Sequence, residues 1–312
     1  MKESAAKRAA TAAVAAVLFV SLAAIAAAMQ FTPWGTPANA EAVPGTSSDL
    51  NTQFNDGCPI QSPDGLSLYI ASNRPGGLGG QDIWVAHRES SDAPWGTPEN
   101  VGAPVNSGAN DFCPTPLRGK RLLLVSERGG PGSCGSGDIY ITRLNPVHGW
   151  EEPRNLGCQV NSPAGEAGPS LFETATGAQL YFSSTRAGDS NIYASTQLAD
   201  GSFGPATPVA SLNTAGDDFR PNVRKDGLEV VFDSNRLGTL GGQDIWSSTR
   251  DSVEDAWSTP VSLTTVNSSF NETRASFSWD GRTLTFGSNR TGSEGQADVY
   301  ESTRTKITNN AG

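Results

Sequence analysis

The chain has 312 residues, a formal net charge of −10, and 35 Gly and 20 Pro beside only 17% charged residues. That composition excludes a protein of long helices and suits many short strands joined by turns. An acidic chain with no basic run gives phosphates nothing to hold, so neither nucleic acid nor an anionic membrane surface is an expected partner.

The first element in chain order is an export segment. Lys2, Lys7 and Arg8 form a basic leader, and Ala9 to Met29 is apolar apart from Thr11 and Ser21. Small-x-small sites follow at Ala26-Ala27-Ala28 and Ala38-Asn39-Ala40. Residues 1–40 are therefore expected to be a signal peptide or an N-terminal membrane anchor, cleaved after Ala28 or Ala40 where it is cleaved at all. The apolar run is long for a signal, which keeps the anchor open. Cys58 is the first cysteine, so a lipid anchor is not expected. The expected location is extracytoplasmic, secreted or periplasmic, and four cysteines in such a protein are compatible with two disulfides.

From about residue 54 a single template recurs, giving expected repeats over 54–106, 107–161, 162–213, 214–267 and 268–307, then a tail over 308–312. Each copy is preceded by an Asn five residues before its acid, continues through two strands, and then reads Ser-x-Arg, a Gly-rich loop and a third strand. The second strands are apolar runs, among them Leu122-Leu123-Leu124-Val125 and Val230-Val231-Phe232. Runs without polar alternation predict strands covered on both faces. Pro63-Asp64-Gly65, Asp226-Gly227 and Asp280-Gly281 predict hairpin turns, because Gly accepts the positive φ such turns need. The third strands open with Asp82-Ile83-Trp84, Asp138-Ile139-Tyr140, Asn191-Ile192-Tyr193, Asp244-Ile245-Trp246 and Asp298-Val299-Tyr300. Trp95, Trp150, Phe203 and Trp257 follow the first four and are expected to pack outer strands.

A period near 53 residues with four strands per copy predicts an all-β fold: a single five-bladed β-propeller of four-stranded antiparallel blades over residues 41–307. The fifth copy stops after its third strand. Trp34-Gly35-Thr36-Pro37 echoes Trp95-Gly96-Thr97-Pro98, so the N-terminal segment is expected to supply the missing strand and close the ring. Closure removes the open edges that invite aggregation. The spacing from Trp34 to Asn51 exceeds that from Trp95 to Asn106, which leaves the start of the closing strand undecided.

Ser62 to Gly65, the following apolar strand, Ser72-Asn73-Arg74 and Gly76 to Trp84 together resemble the PD40 repeat of TolB-like (WD40-like) propellers. The second copy departs from it, with Arg118-Gly119-Lys120 at the turn, and the third shortens the Gly loop to Ala187-Gly188-Asp189-Ser190. The resemblance implies a ring with a central channel that binds a protein or a cell-envelope glycan at one mouth. The expected function is a binding or scaffold module, without catalysis and as a monomer. The alternative is a carbohydrate-active hydrolase or lyase that uses channel-mouth carboxylates.

The acids Asp56, Asp111, Glu166, Asp218 and Glu272 begin the innermost strands and are expected to ring the channel mouth. Their functional reading is a cation site or a carboxylate pair for sugar cleavage. Presence in every copy favours the structural reading, in which each acid accepts loop N–H groups and pairs with a nearby arginine. Two positions further on, Cys58, Cys113, Gly168, Arg220 and Arg274 diverge. Arg220 and Arg274 are the stronger candidates for ligand contact because only two copies carry them. Asp82, Asp138, Asp244 and Asp298 are expected to pair within their blades with Arg74, Arg128, Arg236 and Arg290.

Only His87 and His148 are present, so neither a histidine zinc site nor a Ser-His-Asp triad is expected. No cofactor is expected, although the Gly-rich loops keep a structural cation such as calcium open. Cys58 and Cys113 hold equivalent places in adjacent copies, and Cys134 and Cys158 share one copy, which suggests those two pairings.

Overall fold

The computed structural model describes residues 30–174 and 177–307. The expected export segment therefore lies outside the described residues up to Met29, and so does the tail after Ile307. Among the described residues no helix is long and apolar enough to cross a membrane.

Five antiparallel sheets of four principal strands form a ring, one per copy of the repeat. Blade I runs outward through Asp56–Gln61, Ser67–Ser72, Asp82–His87 and Glu99–Asn100. Its first hairpin turns at Gly65, with φ +72°, while the Asp64 carboxylate accepts the Leu66 N–H at 3.0 Å and the Ser62 hydroxyl. The turn chemistry seen in the sequence thus sets the hairpin. Blade II carries an extra two-residue strand, Gly149–Trp150, paired to the end of its third strand.

The hydrophobic core is divided among the seams between blades. Leu123 and Val125 of blade II pack with Leu180 and Phe182 of blade III, and Tyr181 and Ile192 pack with Val230 and Phe232 of blade IV. Three further clusters fill the remaining seams. Leu68, Leu122, Leu180, Val230 and Leu284 are all fully buried, which explains why the second strands show no polar alternation. Each burial contributes roughly 1.5–3 kcal/mol, so no blade could keep its faces dry alone.

The repeated Asn ties successive blades together. The carboxamide oxygens of Asn51, Asn106, Asn161, Asn213 and Asn267 accept the N–H groups of Val299, Ile83, Ile139, Ile192 and Ile245 at 2.7–2.8 Å. Each therefore clips the third strand of the preceding blade.

The N-terminal segment closes the ring. Ala38–Asn39 pairs with the third strand of blade V, Ala38 opposite Glu301 and Asn39 opposite Tyr300. Trp34 is equivalent to Trp95: the Gly35 N–H donates to Thr303 O at 2.9 Å, as Gly96 N–H does to His87 O at 2.8 Å. Arg304 and Arg88 stack over these two indoles at 4.0 and 3.9 Å. The longer spacing to Asn51 includes a single 3₁₀ turn, Ala40–Ala42. Cleavage after Ala40 would remove Trp34 and the closing strand, whereas cleavage after Ala28 would keep both.

Candidate functional site

The five acids start the innermost strands, but their carboxylates do not line an open mouth. Asp56, Asp111, Asp218 and Glu272 are 0% exposed and Glu166 is 2% exposed. Each pairs with the arginine of its own Ser-x-Arg at 2.5–3.0 Å: Arg74, Arg128, Arg236, Arg290 and Arg186 respectively. Asp218 also accepts the Thr214 N–H at 2.6 Å and the Ser234 hydroxyl at 2.6 Å. Each unit is a closed clamp of acid, hydroxyl and guanidinium, with its charges matched and its lone pairs occupied. At Glu166 the cost of burial outweighs the bonds from Ser162, Ser184 and Arg186 and raises the carboxyl above its ordinary value.

This corrects the pairing expected for the third-strand acids. Ser72 faces Asp56 across one strand pair and Asp82 across the other. Arg74 folds back over the Ser72 hydroxyl, at 3.0 Å from Nε, and reaches the inner acid. Asp82 instead accepts N–H groups of its own Gly-rich loop, from Leu78 and Gly79, and the Asn100 carboxamide at 3.2 Å. Asp138, Asp244 and Asp298 likewise accept loop N–H groups from Cys134, Leu240 and Glu294. The third-strand acids therefore brace loops, and the arginines belong to the clamps.

The channel is shaped by the diverging position. Every innermost strand breaks register two residues after its acid, a β-bulge that turns the side chain toward the axis. Cys58, Cys113, Arg220 and Arg274 have φ of 51°, 47°, 47° and 50°, and Gly168 has φ 57°. A left-handed non-glycine residue is uncommon, and four at one level of the axis mark a place where backbone strain is tolerated for what the side chains do. Cys58 and Cys113 are joined in a disulfide across blades I and II, and Cys134 and Cys158 are joined within blade II. At Gly168 a Cβ would lie 2.5 Å from Arg220 Cα, so glycine gives that arginine its room.

Arg220 is part-exposed and lies against Asp233, with Nε at 3.1 Å from both carboxylate oxygens and Gln243 Oε1 at 3.0 Å from Nη2. Asp233 is fully buried and also accepts the backbone N–H of Arg274 at 3.0 Å. Arg274 is fully buried and reaches across the axis from blade V to blades II and III. Its Nη2 donates to Thr115 Oγ1 at 2.9 Å and to Pro169 O at 3.3 Å. Desolvation, reinforced by Arg220, lowers its pKa to about 9. The sequence reading missed Asp233, although a signal was there: Ala71, Val125, Ser183 and Gly287 hold the same place in the other blades.

Above this layer lies a cavity of about 480 Å³. Its lining holds Asn55, Gln81, Gln243, Asn271, Asn289 and Gln296, together with Arg220 and the Cys58–Cys113 bridge. No Asp or Glu is among the residues lining it. Among the described residues, no cluster of three or more His, Cys, Asp or Glu side chains is suited to hold a metal ion.

No protein-family model and no curated protein matches the chain. Solved structures share its fold at low identity. An endo-arabinase from Bacteroides thetaiotaomicron is 16% identical over 85% of this chain and 98% of its own, with a TM-score of 0.55. An α-L-arabinofuranosidase from Podospora anserina, solved in complex with cellotriose, is 13% identical over 89% and 97%, with a TM-score of 0.52. A second α-L-arabinofuranosidase, from Coprinopsis cinerea, is 13% identical over 88% and 98%, also at 0.52. At these identities the likeness establishes the five-bladed propeller and nothing finer.

Proposed function

We propose that this propeller binds carbohydrate at the mouth of its channel and does not cleave it. The observation that carries the reading is the lining of the mouth cavity: six carboxamides and one guanidinium, with no carboxylate. Carboxamides both donate and accept, as sugar hydroxyls do. Gln81 and Gln296 make no side-chain hydrogen bond to another described residue, so their amide groups are free to meet a ligand. The volume falls in the range of pockets that enclose small ligands, roughly 300–1,000 Å³. The matched structures, by their names, act on or hold carbohydrate, which supports the ligand class. Export through the N-terminal segment would place the protein outside the cytoplasm, where two disulfides persist, and the PD40-like repeat is consistent with an envelope role.

The names of the matched structures also favour a second reading, a glycoside hydrolase. Cleavage would need two carboxylates flanking the scissile bond. Asp233 is the acid that stands behind Arg220, and it is buried and engaged.

The test is calorimetric titration with arabinan, xylan and cello-oligosaccharides, cellotriose included, with reducing ends assayed in parallel. Binding that is lost in Gln243→Ala and Gln296→Ala, without release of reducing ends, is the expected result. Failure of every oligosaccharide to bind would overturn the proposal. Release of reducing ends that disappears in Asp233→Asn would establish the hydrolase instead.

A further inference from the structure

Among the described residues five arginines are less than one tenth exposed: Arg74, Arg224, Arg236, Arg274 and Arg304. Four of them meet a carboxylate. Arg74 pairs with Asp56 and Arg236 with Asp218, while Arg224 and Arg304 share Glu229. Arg274 is the most deeply buried of the five and has no such partner among the described residues. Nη2 makes all three of its side-chain hydrogen bonds, to Thr115 Oγ1, Pro114 O and Pro169 O. Nε and Nη1 are buried with no hydrogen-bond partner.

The charges around it do not balance either. Among the described residues Asp233 is the one carboxylate acting on Arg274, and it is already gripped by the Arg220 guanidinium. The clamps are neutral within themselves. The axis therefore carries two guanidinium groups against one carboxylate. Taking an unpaired charge out of water costs several kcal/mol, and natural interiors offset that cost with a counter-charge.

We propose that Arg274 holds a small monovalent anion, of the halide class, on the propeller axis. The anion takes hydrogen bonds from Nε or Nη1 and supplies the negative charge that the other four buried arginines receive from Asp or Glu. A sugar carboxylate is the other source of that charge, but Arg274 is not among the residues lining the mouth cavity, whereas Arg220 is. A ligand seated at the mouth would therefore meet Arg220 first. The axial site calls for an ion small enough to lie beside a fully buried guanidinium, and it is independent of what the mouth binds.

The experiment is a thermal melt of the intact protein while chloride replaces gluconate at constant ionic strength. The melting temperature is expected to rise and then saturate with chloride, as mass action requires of a ligand that binds only the folded state. Arg274→Met is expected to remove that dependence. Crystals soaked in bromide are expected to show an anomalous peak within hydrogen-bond reach of Arg274. A wild-type melt that ignores chloride, or a bromide-soaked crystal without that peak, overturns the proposal, and the crystal decides the matter even where Arg274→Met fails to fold. A rise seen with glucuronate but not with chloride, and abolished by Arg220→Gln, would move the anion to the mouth and overturn the axial assignment.

Discussion

Two sets of five equivalent positions lie two residues apart along the innermost strands and obey opposite rules. The acids of the first set are interchangeable: each is buried, each is paired with its Ser-x-Arg, and each does the same job in its blade. The residues of the second set share a left-handed backbone and a place on the axis, but they are two bonded cysteines, a glycine and two arginines in different settings. Repetition in a propeller thus marks the joinery, because every blade must be locked to the next in the same way. Divergence marks the centre, where five side chains share one space and only one combination has to fit.

The sharpest way to break this comparison is to make the same change in both sets. Arg236→Met strands Asp218 as a buried carboxylate without its cation and is expected to cost about 3–5 kcal/mol. Arg274→Met, in chloride-free buffer, removes a charge that has no carboxylate partner and is expected to be neutral or stabilising. Urea unfolding of both variants checks the pair. Equal losses would mean that the axial arginine is as well compensated by the protein as a clamp arginine, and the distinction would fall.

The packing of the axis offers a smaller test. In Gly168→Ala the new methyl would lie 2.5 Å from Arg220 Cα in a backbone region that favours glycine. The expected loss is about 1–3 kcal/mol. Gly108→Ala, where nothing lies within 4 Å of the new methyl, is the control and is expected to stay within about 0.5 kcal/mol. If both variants melt together, the axis has slack and Gly168 is not making room for Arg220.

The joinery was largely legible in the sequence and the centre only in part. Hairpin turns, apolar second strands and the Trp34 echo each carry a local physical signature, so blade count and ring closure followed from them. Arg74 was assigned the wrong acid because Asp56 and Asp82 both lie opposite Ser72, one on each side. Spacing along the chain does not say which way a long side chain folds back. The divergence at Arg220 and Arg274 was visible, but not the left-handed backbone that aims both at the axis. Asp233 was hidden because a lone acid ending an apolar strand reads as the strand's edge, until the ring places Arg220 against it.

Protonation of four carboxyls gives the smallest expected effect. Burial raises the carboxyl of Glu166 in blade III. It does the same at Glu301, which accepts from the Gln61 carboxamide at 3.2 Å on the seam between blades V and I. Glu41 and Asp298, on the N-terminal closure, are raised for the same leading reason. A carboxyl whose pKa is higher folded than unfolded binds its proton more tightly in the native state. Its contribution to stability is present below the unfolded pKa and is lost as pH rises through the folded value. These four groups together are expected to make the folded state less stable as pH rises from the ordinary carboxylate range toward neutrality, the reverse of the usual salt-bridged carboxylate. Thermal melts across that interval, at constant ionic strength, are expected to show the decline, and Glu301→Gln is expected to flatten it by sparing the native state a buried charge. A wild-type melting temperature that climbs toward pH 7, with Glu301→Gln running parallel to it, would mean that Gln61 and Arg88 stabilise the ionised form more than burial disfavours it, and that the seam at the closure behaves like an ordinary salt-bridged carboxylate.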